Sequence, residues 1–345
     1  MTSFPINAPA ERRDGRLASI QFLRGLAALS VTLAHALPYC GLEFRLGTAG
    51  VDLFFVISGF VMVYASEKYF GQRHGAREFM MRRLVRIVPI YWAATSIALF
   101  LMIFWGRDAS GFLMTPGSIA ASYLFIPFAR ANGYVYPIHS VGWTLYYEMF
   151  FYACFSAAVF FPRRIGVPVL AAVLVALVVL NQMIALPMPL GYWLDPTLLE
   201  FVAGMMIGLA LRDGVRISPR IAAAVVVGGM ALLVVLGGWL RVTPVVAFGL
   251  PATIMVAACA LGFGSLACRS LTCSVAVFLG EASYALYLLH PFAVDLARTL
   301  IEPTAHPWMF LVAAVCLAIG AAGVVYLAFE KPLTLTLQRR VAAQA

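Results

Sequence analysis

Arg24 and His35 stand inside one apolar stretch near the start of this 345-residue chain. An arginine at the centre of a membrane helix costs about 2.5–3.5 kcal/mol on insertion scales, so a group of this kind asks for a reason. The two residues are eleven positions apart, and a helix returns after that interval to within about 20° of the same face, with a rise of about 16 Å. One stripe therefore carries a fixed cation and an imidazole able to take and give a proton. Asp52 opens the next apolar stretch at a depth similar to that of His35, where a carboxylate can orient the imidazole and raise its basicity for general-base catalysis. Glu148 lies about 10 Å into a later stretch and approaches the same depth. Each has an ordinary alternative: snorkelling for Arg24, an interfacial position for His35, a structural ion pair for Glu148.

A second group of residues suits anion binding. In Arg77-Glu78-Phe79-Met80-Met81-Arg82-Arg83-Leu84-Val85-Arg86, helical spacing puts Arg82 and Arg86 on one face, a fork for the phosphates of a cytosolic cofactor. Basic juxtamembrane residues also set topology or hold anionic lipid. His290 precedes Pro291 deep in a late apolar stretch and reads equally as functional or as core. Glu330-Lys331-Pro332 reads as an ordinary charged boundary without a catalytic role.

The elements that position these residues follow from composition. Hydrophobic residues make up 63% of the chain and charged ones 11%, against roughly 25% charged in soluble domains. Apolar blocks predict an all-α integral membrane protein, a polytopic bundle of about ten transmembrane helices near 17–39, 48–66, 89–105, 141–161, 167–187, 196–211, 219–240, 244–266, 274–297 and 308–329. The piece 118–128 is too short to cross and reads as re-entrant or interfacial. With both termini cytoplasmic, 18 of the 24 Lys and Arg residues fall inside and only Arg45, Arg107, Arg130, Arg241 and Arg298 outside, as the positive-inside rule requires. The domain plan is a cytoplasmic segment 1–16, a membrane domain 17–333 and a cytoplasmic tail 334–345. Basic residues occur in short clusters rather than one patch, which argues against nucleic acid as a partner. The six cysteines form no metal-type pair and suggest no disulfide scaffold, so no metal is expected. Ala34-His35-Ala36 mimics a signal-peptidase site, but Arg24 interrupts the run and the apolar character continues to Tyr39. Buried charges on ten spans also describe a transporter or flippase for a polysaccharide or lipid-linked precursor, although no inverted repeat is evident.

In chain order these patterns resemble one family, membrane acyltransferase family 3, and within it the exopolysaccharide O-acetyltransferase branch. The resemblance rests on Arg24 with His35, then Gly50-Val51-Asp52-Leu53-Phe54-Phe55-Val56-Ile57-Ser58-Gly59-Phe60, then Phe79, Arg82, Arg83, Arg86, Pro89, Tyr91 and Trp92. Trp143-Thr144-Leu145 with Glu148 follows, threonine standing where the family has serine, and Ser283-Tyr284 through Tyr287 to His290 closes the series. It implies an enzyme of the inner membrane of bacterial type that moves an acyl group, commonly acetyl, from cytosolic acyl-CoA to a hydroxyl of a surface or exported carbohydrate or lipid-linked glycan. It implies His35, Asp52 and Glu148 as catalytic residues, with His35 the general base or an acyl-carrying nucleophile. Arg24, Arg82, Arg83 and Arg86 would hold the donor, and Trp143, Ser283, Tyr284 and His290 the substrate. No permanently bound cofactor is expected.

Overall fold

The structure is a computed structural model that describes residues 11–106, 114–240, 242–263 and 270–343, with side chains between 18 and 337. The expected segment 1–16, the side chains of Arg339 and Arg340 in the tail, Arg107, Arg241, Cys268 and Arg269 lie wholly or partly outside these residues.

Among the described residues every regular element is helical. Lipid offers the backbone no hydrogen bonds, and a helix satisfies its own. In chain order the helices are α1 (Glu11–Ala36), α2 (Ala49–Ala65), α3 (Gly75–Trp105), α4 (Pro116–Tyr123), α5 (Trp143–Ala158), α6 (Arg163–Ile184) and α7 (Leu190–Trp193), followed by α8 (Leu198–Arg212), α9 (Pro219–Leu233), α10 (Leu250–Gly262), α11 (Leu271–Glu281), α12 (Ser283–Leu300), α13 (Pro307–Val325) and α14 (Lys331–Ala343). Seven segments are long and apolar enough to cross a membrane, and an eighth counts if α11 and α12 make one broken span. The protein is thus an all-helical integral membrane protein.

The remaining two of the ten expected spans coincide with α5 and α8, of 16 and 15 residues. At 1.5 Å per residue each falls short of the roughly 30 Å hydrocarbon core. Both are interior helices, with Phe151, Phe155, Leu198 and Phe201 fully buried. The piece 118–128, expected to be re-entrant or interfacial, overlaps α4, eight residues long and started by a Thr115–Ser118 capping box. It is tied to α3 through Tyr91 Oη donating to the Ser122 carbonyl at 2.8 Å and Trp92 Nε1 to that of Tyr123 at 2.9 Å. Of the described cysteines, Cys40, Cys154, Cys259 and Cys316 are free, while Cys273 is disulfide-bonded, which its spacing did not suggest.

Helices α2 and α8 cross in backbone contact. A Cβ at Gly204 would stand 2.0 Å from the Val56 carbonyl oxygen, and one at Gly59 2.1 Å from that of Phe201. Small residues let membrane helices approach so closely. Gly204→Ala is therefore expected to destabilise the protein by about 1–3 kcal/mol, the usual range for overpacking, seen as a lower melting temperature in detergent. Gly228→Ala, at a position with nothing within 4 Å, is the control and should melt like the wild type.

The expected span 274–297 is broken: α11 and α12 meet at an angle of 76°. Gly280 lies against α1, where a Cβ would be 2.1 Å from the Gln21 carbonyl oxygen. The bend follows immediately and brings the first turn of α12, Ser283 and Tyr284, into the bundle. The last membrane helix does not stop at Glu330 but passes through a π-helical turn, Tyr326–Glu330, into α14.

Candidate active site

Helices α1, α2, α3, α5 and α12 line a partly open cavity of about 100 Å³. Its polar lining comes from Arg24, Ser58, Arg86, Glu148, Tyr152 and Tyr284, set in an apolar wall that includes Phe54 and Val61. The lining is built from α1 and α3 for the cations and α5 for the acid. Glu148 Oε1 accepts from Ser58 Oγ at 3.1 Å and from the Tyr152 hydroxyl one turn on. Arg24 Nη1 donates to Gln21 Oε1 at 3.2 Å. The Tyr284 hydroxyl donates to the Ile87 carbonyl at 2.8 Å, joining α12 to α3 beside Arg86. Ser283 Oγ, buried and without a hydrogen-bond partner, also lines this space. Glu330, 5% exposed, interacts electrostatically with both Arg24 and Arg86.

The three arginines of α3 expected to hold the donor divide. Arg86 lines the cavity. Arg83 lies over the Phe79 ring at 5.5 Å and interacts with Tyr152 and Glu148. Arg82 turns away to Glu78, with contacts of 2.8 and 2.9 Å. Helical spacing foresaw a shared face for Arg82 and Arg86, but the carboxylate one turn earlier captures the first of them. Trp143 packs edge-on to Phe55 and Tyr147, at centroid distances of 6.3 and 6.1 Å. It is its neighbour Thr144 that reaches the cavity.

Beyond the cavity a chain of aromatic rings leads to two histidines. The Tyr287 ring lies 5.9 Å from Phe54 and 5.9 Å from His290, and its hydroxyl donates to the Val141 carbonyl at 2.9 Å. The His290 ring, wholly buried, is 4.8 Å from that of His35, which is exposed. His35 Nδ1 is 2.9 Å from the Val31 carbonyl. A carbonyl only accepts, so this contact places the proton on Nδ1 and leaves Nε2 with its lone pair free, the form a general base needs.

Two expected neighbours of His35 are elsewhere. Asp52 faces Glu200 of α8. The reason is helical phase: Asp52 is seven residues before Gly59 and Glu200 four before Gly204, so each acid lies on the face through which α2 and α8 cross. Glu200 is 2% exposed, with neither carboxylate oxygen completing a hydrogen bond. Glu148 joins the arginines instead of the imidazole. Its depth was measured from a helix start at the membrane boundary, whereas α5 begins inside the bundle: Ile138 and His139 just before it are buried, and His139 Nε2 bonds the Leu288 carbonyl at 2.8 Å.

A membrane-embedded arginine cavity beside a fixed-tautomer histidine suits transfer of a group from an anionic donor. The comparison with known proteins decides the family, since residues 17–330 match the profile described as an acyltransferase domain. The chain belongs to membrane acyltransferase family 3. The acyltransferase is 35% identical to the exopolysaccharide production protein ExoZ of Rhizobium meliloti, over 87% of this chain and 94% of that protein. It is 27% identical to the acyltransferase MdmB of Streptomyces mycarofaciens, over 94% of this chain and 93% of the relative. No solved structure matches it. It is an enzyme that transfers acyl groups.

Some residues near the acyltransferase site carry only weak signals in the sequence. Ser58 stands inside the Gly50–Phe60 pattern without a role of its own, and Tyr152 lies in no pattern, although it follows Glu148 by one helical turn, a spacing that brings side chains together. Glu330 reads in the sequence as a boundary charge, and only the distant cations on α1 and α3 reveal otherwise. At the α2–α8 crossing, Glu200 has as its signal a glycine four residues on.

Proposed function

We propose that this acyltransferase takes an acyl group, acetyl in the first instance, from cytosolic acyl-CoA and places it on a hydroxyl of an exopolysaccharide unit or its lipid-linked precursor. The observation that carries this reading is the cavity in which Arg24 and Arg86 face an acid held by Ser58 and Tyr152. Guanidinium groups bind phosphates and polarise acyl oxygens in a water-poor site. At about 100 Å³ the space suits the narrow pantetheine arm of the donor, with the nucleotide outside along the basic start of α3 and the thioester carried past Arg24 towards His35. The carbohydrate acceptor is suggested by the relative named for exopolysaccharide production.

His35 Nε2 takes the proton of the acceptor hydroxyl as its oxygen attacks the thioester carbonyl carbon. The tetrahedral intermediate collapses, the carbon–sulfur bond breaks, and the leaving thiolate receives the proton from the imidazolium. An ester and free CoA result. The donor is cytosolic in this reading because the basic residues mark the Arg82 side as the inner face of an inner membrane, with both termini cytoplasmic. In support, the turns after α2, before α6 and after α8 meet through ion pairs: Arg163 with Glu67 at 3.4 Å and Asp213 at 3.1 Å, and Arg212 with Glu67 at 3.7 Å.

The test is purified protein in proteoliposomes with acyl-labelled acyl-CoA and lipid-linked glycan from a strain lacking the enzyme. Label is expected in ester linkage on the glycan, released by mild base. A glycan moved across the bilayer without label would overturn the reading in favour of a transporter.

A further inference from the structure

His290 is a buried imidazole with no evident occupation. It is wholly buried in α12, and its ring nitrogens make no well-formed hydrogen bond, interacting only loosely with the Tyr287 and Leu286 carbonyls of its own helix. Buried polar atoms are nearly always well paired, so a ring held this loosely calls for a function or a missing partner. The titratable groups that interact with it are His35 from α1, His139 from the segment before α5, and Tyr287 from its own helix. An imidazolium buried against two further imidazoles is costly, so the ring is neutral and keeps one nitrogen as an acceptor.

Its place bears on the proposed base. His35 has its Nδ1 on the Val31 carbonyl, and the carboxylate expected to support it, Asp52, is turned to Glu200. The flank of His35 is occupied instead by His290, with ring centroids 4.8 Å apart and planes inclined at 60°. Both ring nitrogens of His290 are shielded from outside, so His290 reaches the reaction through His35 and does not meet the substrate itself. We infer that His290 is the positioning residue for His35: its neutral ring packs on the basic imidazole, fixes its orientation and, with an acceptor nitrogen at its flank, favours the imidazolium that His35 becomes. This rests on the acyl-transfer reading above. His139 is itself held by the Leu288 carbonyl and stacked on Phe292 at 5.0 Å, and so braces α12 from behind.

The experiment has two readouts, one independent of acyl transfer. Diethylpyrocarbonate acylates a histidine by attack of the free imidazole nitrogen on a carbonyl carbon, with charge developing on the ring as in the proposed step. Its rate at His35, followed by peptide mass spectrometry in the full-length protein, is expected to fall about 10- to 100-fold in His290→Phe, the worth of a hydrogen bond to a charged group. His290→Gln retains an acceptor and should recover part of the loss. In acyl transfer, kcat should follow the same order while KM for acyl-CoA stays at the wild-type value. If the phenylalanine variant does not accumulate, His290→Met fills the space with an apolar chain and is read in the same way. Unchanged His35 modification in the apolar variant overturns the inference, as does an equal loss in the glutamine and apolar variants. Should the wild type modify as expected yet transfer nothing from acyl-CoA, the donor assignment fails while the coupling of the two rings stands.

Discussion

His35→Ala is expected to lower kcat for acyl transfer by about 10²–10⁴-fold, the usual range for a positioned general base, with acyl-CoA binding retained. The reason is spatial. His35 is exposed and about three helical turns along α1 from Arg24, and it does not line the arginine cavity. Removing the imidazole therefore leaves donor contacts intact. Its Nδ1 already serves the Val31 carbonyl, so alanine sacrifices one hydrogen bond at the end of a helix and the fold should survive. His35→Gln is a sharper control, since its amide can keep a hydrogen bond but cannot take up a proton. Both variants should bind labelled acyl-CoA as the wild type does and fail in transfer. Transfer at the wild-type rate by either one removes His35 from the chemistry. If an acyl-histidine forms instead of direct attack, stopping the wild-type reaction early with acid should leave label on the His35 peptide.

What could be read from the sequence follows from which physical constraints act locally. Lipid demands long apolar helices, so most spans were visible as apolar blocks. The shared stripe of Arg24 and His35 follows from helical periodicity alone. Partners across helices were not visible, because depth along a helix says nothing of its rotation about its axis. Asp52 has a depth compatible with His35, yet the phase set by Gly59 turns it to Glu200. Pairing acids with nearby glycines, Asp52 with Gly59 and Glu200 with Gly204, would have pointed to the α2–α8 crossing. The break at Ala282 shows in the sequence only as Gly280-Glu281-Ala282-Ser283, a short polar interruption of an otherwise apolar run, and it follows directly on the contact of Gly280 with the Gln21 backbone. Glu330 looked like a terminus in one dimension and is a neighbour of two arginines in three.

The same division among arginines makes a second large effect testable. Arg86→Glu is expected to weaken acyl-CoA binding by about 10- to 150-fold, corresponding to the 1.5–3 kcal/mol of a hydrogen bond to a charged group. Arg82→Ala should change it little, because Arg82 is already engaged by Glu78 at 2.8 Å and does not line the cavity. Charge reversal at position 86 adds a third carboxylate near Glu148 and Glu330, so part of its effect can fall on folding. Arg86→Met separates the two: it preserves the apolar stem that packs beside Ile87 and removes only the cation. Equilibrium binding of labelled acyl-CoA and thermal unfolding in detergent should be measured on each variant. Affinity equal to wild type in both Arg86 variants would exclude Arg86 from the donor site. The exchange Arg86→Glu with Glu330→Arg carries the logic one step further. It restores the balance of charge, so the melting temperature should recover, but it moves the cation from the cavity wall to a position outside that lining. Affinity should therefore stay low. If the exchange restores binding as well as stability, net charge at the inner end of the bundle, and not a guanidinium at position 86, is what the donor recognises.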